Sequence, residues 1–209
     1  MIISILIGLV IISASLYIYF DVVSNNLKYI TKPLTTLLII LIAIFQLPET
    51  GSTYGYLILT GLFFSLLGDI FLMLPTDKFV QGLVSFLVAH IAYIIAFSLG
   101  FGPYFEIGYL IPSAVYTIIF LWILLPKTGE MKIPVVVYAL VLMTFLWQAT
   151  GRFYYLGNSS AFFTFAGAIL FVISDTILAY SKFIKTPKAS SFLIHSTYWV
   201  AQLLIALSI

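Results

Sequence analysis

The chain has 209 residues, of which 63% are apolar or aromatic and only 8% charged, with a formal net charge of +2. An average soluble domain is roughly 45–50% apolar and about 25% charged, so a soluble fold is excluded. The small net charge offers no basic surface for nucleic acid. Spans of about 20 residues cross a hydrocarbon core, and eight of them would use most of the chain. That leaves no room for a nucleotide-binding or DNA-binding module and points to one transmembrane domain over 1–209.

The apolar runs predict an all-α, polytopic bundle with spans at 2–20, 34–47, 55–74, 79–99, 108–125, 133–150, 160–181 and 189–208. The first lacks the positive leader of a cleaved signal and is expected to be a retained helix. The second is expected to begin at Lys32-Pro33, because proline suits a first helical turn. Breaks fall at the polar, Gly- and Pro-rich punctuation: Ser24 to Asn26, Pro48 to Ser52, Pro75 to Asp77, Gly100 to Pro103, Pro126 to Gly129, Gly157 to Ser160 and Lys185 to Lys188. Alternate loops then collect eight lysines on one side (Lys28, Lys32, Lys78, Lys127, Lys132, Lys182, Lys185 and Lys188), and Arg152 alone on the other. The positive-inside rule puts the lysine side in the cytoplasm and both termini outside, in the manner of a cell-membrane protein. Arg152, at the outer rim, reads as a snorkelling interfacial residue. No cysteine is present, which removes disulfides and thiolate metal sites without identifying a compartment.

The chain also repeats itself. Gly61 to Asp69 (GLFFSLLGD) resembles Gly167 to Asp175 (GAILFVISD), and Ser85 to His90 followed by Tyr93 resembles Ser191 to His195 followed by Tyr198. Two four-helix halves, 1–105 and 106–209, would have parallel orientation about an axis along the membrane normal. Chance likeness in an apolar alphabet is the alternative.

Ionisable groups inside hydrocarbon are expensive and normally mark function. Four qualify: Asp69, His90, Asp175 and His195. Asp69, Asp175 and His195 lie five or six residues from the lysine-side helix ends, roughly 8–9 Å deep at 1.5 Å per residue. His90 is nearer the midplane, so a cavity that held it would penetrate to the centre. Gly61, Ser65, Gly68 and Asp69 share one helical face, a small, polar stripe suited to close approach. Tyr93 stacks beyond His90 and Tyr198 beyond His195, and these aromatics would either wall an acyl chain or simply pack. Each histidine is alternatively a satisfied interhelical hydrogen bond, and each aspartate a structural one. Lys32 is an anchor or a partner for a lipid phosphate. Neither a Walker motif, a nucleophile elbow nor an HExxH pattern occurs, and no His/Asp pair has tight metal-ligand spacing, so no metal and no cofactor is expected.

Taken in order, Lys32-Pro33-Leu34-Thr35, Gly61-x-x-x-Ser65-Leu66-Leu67-Gly68-Asp69, Gly82 through His90-x-x-Tyr93, and Phe171-x-Ile173-Ser174-Asp175 resemble the YhhN-like lysoplasmalogenase family. The resemblance implies an integral membrane hydrolase that cleaves the vinyl ether bond of lysoplasmalogens, giving a fatty aldehyde and glycerophosphoethanolamine or glycerophosphocholine. Asp69 and Asp175 match the family's intramembrane aspartates, His90 its fourth-helix histidine and Lys32 the basic residue before its second helix. His195 has no counterpart in the pattern. Asp69, Asp175 and His90 are therefore the catalytic candidates, and Lys32, Ser65, Tyr93, His195 and Tyr198 the substrate-binding ones, with a lysophospholipid as substrate. Two aspartates in different protonation states suit acid and base work on a vinyl ether. A proton-coupled transporter or lipid flippase is the rival reading, and a lysophospholipase acting on ester lipids is another.

Overall fold

A computed structural model of the chain describes residues 1–100 and 106–209. Eight helices follow in order: α1 Ile2–Val22, α2 Lys28–Gln46, α3 Thr53–Met73, α4 Phe79–Ser98, α5 Ile107–Leu124, α6 Lys132–Leu156, α7 Ser159–Phe183 and α8 Ser190–Leu207. Each is long and apolar enough to cross a membrane, and no strand occurs among the described residues. The protein is an integral, multi-pass membrane protein. The break expected at Gly100 to Pro103 lies, beyond Gly100, outside the described residues.

Local chemistry sets several helix ends. The Ser52 hydroxyl accepts from the Gly55 N–H at 3.2 Å, and the Asn158 side chain accepts from the Ala161 N–H at 2.9 Å, each satisfying an orphan donor of the first turn. Gly157 ends α6 in the left-handed region at φ 59°, a conformation that glycine adopts without a Cβ penalty. The Pro126–Gly129 break is filled by two short 3₁₀ turns, Leu125–Lys127 and Gly129–Met131.

The second helix departs from expectation, for it begins at Lys28 and not at Lys32, with Pro33 inside it. Asn25 holds the entrance by accepting the Leu27 N–H at 2.9 Å, and Lys28 pairs with Asp21 at the end of α1 at 2.9 Å. Proline costs the helix the bond to the carbonyl four residues back. That residue is Tyr29, which is exposed at the helix mouth.

Three hairpins, α1–α2, α3–α4 and α7–α8, pack tightly along their lengths, and cross-contacts of α2 with α8 and α4 with α6 close the bundle. α1 and α5 lie at the periphery; α5 rests on α6 and only grazes α7. Lipid tails are as apolar as leucine, so helix association here depends on close packing and polar contacts. Gly61 is one such contact: a Cβ there would lie 2.1 Å from the Tyr93 ring, so only glycine lets α3 and α4 meet at this depth.

Candidate active site

At the lysine-rich end, α1, α2, α3, α4, α7 and α8 surround a polar chamber of about 440 Å³, into which Asp69 and Asp175 both open. Asp69 is 2% exposed. Its Oδ2 accepts from Thr36 Oγ1 at 2.7 Å and from Tyr198 Oη at 2.9 Å. The Lys32 ammonium lies 3.6 Å from Oδ1. Trp199 Nε1 donates in turn to Thr36 Oγ1 at 3.3 Å, leaving the threonine proton for the carboxylate. A buried charge persists only when paired and hydrogen-bonded, and Asp69 has both kinds of support, supplied by α2 and α8.

Asp175 has a different environment. Tyr138 Oη, from α6, donates to its Oδ2 at 2.5 Å, and no ammonium or guanidinium lies in salt-bridge range among the described residues. The two sites share a layout nonetheless. Lys32 and Asp69 are each followed 106 positions later by Tyr138 and Asp175, so a cation supports the first acid where a phenol supports the second.

His195 faces the same chamber. Its Nδ1 lies 2.8 Å from the Ser191 carbonyl, which requires a proton on Nδ1 and makes Nε2 the acceptor for Tyr17 Oη at 3.1 Å. Ser191 Oγ donates to Asp21 at 2.6 Å. The chamber mouth carries Lys28 on Asp21 and Lys182 on Asp77, the latter pair at 3.0 Å. The Lys182 hydrogen bond, helped by the Phe79 N–H, holds the Asp77 carboxyl below the usual carboxylate range.

The remaining candidates lie apart from this chamber. His90 is fully buried; its Nδ1 donates to the Phe86 carbonyl at 2.7 Å, and its ring packs against Phe171 and Phe145 at centroid distances of 4.6 and 4.8 Å. Neither cavity at this end reaches it. Tyr93 is likewise buried, donating to Gln202 Oε1 at 2.8 Å. Ser65, one turn from Asp69, is completely buried and lines neither cavity. The aromatic residues of α4 are thus mostly packing, and of them only Phe79 and Phe86 reach a cavity wall.

Several residues around the acids carried no clear sequence signal. Thr36, Trp199 and Tyr17 looked like ordinary helix positions. Asp21 sits at a helix end, where a solvated acid is the common case. Tyr138 could have been found by extending the repeat, since it stands where Lys32 stands in the first half. Arg152 requires a correction. It does not snorkel: it is 7% exposed, its guanidinium lies 4.3 Å from the Tyr54 ring centroid, and its NH groups point to the Leu99 carbonyl and Ser160 Oγ, both at 3.5 Å. The crowded ends of α3, α4 and α7 enclose it before it can reach the surface.

Fold and site together define a polytopic α-helical membrane protein with two acids on one polar chamber that opens at the lysine-rich end. Residues 27–209 match the model of the YhhN family, and the chain belongs to that family. It is 31% identical over 204 residues to lysoplasmalogenase TMEM86B of Rattus norvegicus, covering 95% of this chain and 81% of the rat protein. Against the Homo sapiens TMEM86B lysoplasmalogenase it is 35% identical over 156 residues, covering 74% and 64% of the two chains. The membrane protein YhhN of Escherichia coli O157:H7 is 26% identical over 182 residues, covering 87% and 86%. No solved structure matches.

Proposed function

We propose that the protein is a membrane-embedded lysoplasmalogenase: it hydrolyses the vinyl ether bond of a lysoplasmalogen to a fatty aldehyde and a glycerophospho-alcohol, with the chamber facing the cytoplasm of a cell membrane. The observation that carries this reading is the pair of intramembrane aspartates on one chamber with unlike partners, Lys32 on Asp69 and Tyr138 on Asp175. Likeness to TMEM86B lysoplasmalogenases supports the substrate class. The excess of lysines at the chamber end supports the orientation, and both termini then lie outside. The chain reads as two related halves, 1–105 and 106–209, whose α2–α8 and α6–α4 contacts correspond.

The reaction follows from the polarity of a vinyl ether. Asp175, without a cation, gives its proton to the carbon beta to the ether oxygen, and an oxocarbenium ion forms at the carbon bearing that oxygen. Asp69, held as an anion by Lys32, Thr36 and Tyr198, stabilises the cation electrostatically. Water adds to the oxocarbenium carbon and returns a proton to Asp175, which restores the acid. The hemiacetal collapses by C–O cleavage, its hydroxyl proton passing to the departing glycerol oxygen. Lys28 and Lys182 at the mouth suit the substrate phosphate, while His195 and Tyr17 suit the glycerol hydroxyl.

The test is product analysis by mass spectrometry after purified protein, in detergent and without a gradient, meets a lysoplasmalogen and an ester lysophospholipid side by side. Fatty aldehyde from the vinyl ether lipid alone is the expected result. Asp69→Asn and Asp175→Asn should each lose about 10²- to 10⁴-fold in kcat. Fatty acid from the ester lipid alone would make the protein a lysophospholipase. No product, but gradient-driven uptake of lipid into vesicles, would make it a transporter.

A further inference from the structure

Beside the polar chamber lies a narrow slot of about 60 Å³ that the chemistry above leaves unused. α4, α6 and α7 form its inner walls and α5 its outer wall. It shares Leu72, Phe79, Phe86, Leu178 and Asp175 with the chamber, so the proposed proton donor stands at the junction of a polar and an apolar space. Asp175 is also the one charged residue among the slot's described lining residues.

The slot is greasy despite its hydroxyls. Thr117 Oγ1 donates to the Ser113 carbonyl at 2.8 Å, Ser113 Oγ to the Leu110 carbonyl at 2.9 Å and Thr176 Oγ1 to the Val172 carbonyl at 2.6 Å. Each hydroxyl is spent on its own helix, a local back-bond that turns the methylene or methyl side outward. From Asp175 the wall continues through Tyr138, Leu142 and Leu146 of α6, one helical turn apart, away from the lysine-rich end.

The outer wall is the loosest element of the bundle. α5 contacts α6, grazes α7, contains Pro112 and exposes Ile118 and Trp122 at 66% and 78%. Across the gap to α7 the Tyr116 hydroxyl meets Thr176 Oγ1. Since Thr176 already donates to Val172, Tyr116 is the donor.

We infer that α5 moves outward when the Tyr116–Thr176 contact parts, widening the slot from its closed volume of about 60 Å³, and that the single hydrocarbon chain of the lipid substrate slides in sideways from the bilayer between α5 and α7 to lie there. The inference rests on the hydrolase reading for the identity of the lipid. The junction at Asp175 supplies the placement: headgroup in the polar chamber, scissile bond at the acid, tail along Leu142 and Leu146.

Photolabelling tests it independently of turnover. Wild-type protein in phosphatidylcholine nanodiscs is irradiated with a lysophosphatidylcholine that bears a diazirine near the chain end, and the adducts are mapped by mass spectrometry. The expected adducts lie at Leu142, Met143, Leu146 or Ser113, compete with unlabelled lysophosphatidylcholine, and fall about tenfold in Leu142→Trp, which blocks the slot. Adducts confined to Ile118 and Trp122, without competition, would overturn the inference. Slot labelling by a protein that releases no aldehyde would leave the chain site standing and remove the hydrolase reading; aldehyde release without slot labelling would do the reverse. Because the chain has no cysteine, Tyr116→Cys with Thr176→Cys gives a lone thiol pair for a short bifunctional thiosulfonate. Bridging should cut slot labelling about tenfold, reversibly on reduction. Labelling unchanged by the bridge would refute admission between α5 and α7.

Discussion

Replacing Lys32 by methionine probes the most exposed assumption of the site, namely that the ammonium is what lets Asp69 remain charged inside the bundle. The substitution keeps most of the unbranched apolar stem and removes the terminal ammonium, its charge and its donors together. At 3.6 Å and an effective dielectric of about 20, two unit charges attract by roughly 5 kcal/mol. Removing one partner of a buried pair typically costs about 3–5 kcal/mol, because the other charge is left uncompensated. Thr36 and Tyr198 continue to serve Oδ2, so the loss falls on Oδ1. In a chain of this size 1 kcal/mol moves Tm by about 2–4 °C, and Lys32→Met should therefore lower Tm by roughly 10 °C in detergent at a fixed scan rate. The double variant Lys32→Met/Asp69→Asn, which removes both charges, should recover most of that loss. A single variant within 2 °C of wild type (roughly the shift of 1 kcal/mol), or a double variant no more stable than the single, would refute the argument.

Three further outcomes follow from packing and charge. His90→Phe should fold and keep its Tm within a few degrees, because Phe171 and Phe145 already form an apolar cage around the ring, whereas His90→Ala should cost about 2–4 kcal/mol through the cavity it leaves; turnover retained by the phenylalanine variant would mark His90 as structural. Gly61→Ala, whose Cβ would meet the Tyr93 ring, should destabilise by about 1–3 kcal/mol, while Gly8→Ala, in the interior of α1 with nothing within 4 Å, should not destabilise and should gain up to about 1 kcal/mol from helix propensity. The Asp77–Lys182 strap has a folded carboxyl value below the ordinary 3.8, so its contribution is fully present above that pH and disappears as acid carries the group through its lower folded value; a Tm that changed between pH 5 and 8 in wild type but not in Asp77→Asn would contradict this sign.

The eight spans were legible because hydrocarbon thickness sets a minimum length that every helix meets, and the lysine asymmetry supported their alternation. The start of α2 was not, since Pro33 is a common first-turn residue, and only the Asn25 and Asp21 contacts show that the helix begins earlier. The two aspartates stood out because so few acids lie inside the spans. His90 stood out equally, yet rarity alone cannot distinguish a ring that faces a cavity from one held between phenylalanines. Arg152 misled for a related reason: depth along a helix is readable from sequence, but whether neighbouring helices close over that depth is set by packing among α3, α4, α6 and α7.

The chain Trp199–Thr36–Asp69 links an indole to a carboxylate through a single hydroxyl. Of the chain's three tryptophans, Trp122 is 78% exposed on α5 and Trp199 only 2%. An indole hydrogen-bonded at its N–H and sealed from solvent responds optically to charge nearby, so Trp199 emission is a reporter already installed beside the acid. With Trp122 and Trp147 replaced by phenylalanine, the occupancy of the chamber and the charge on Asp69 become readable in real time, without attaching a dye to a protein that has no thiol to carry one.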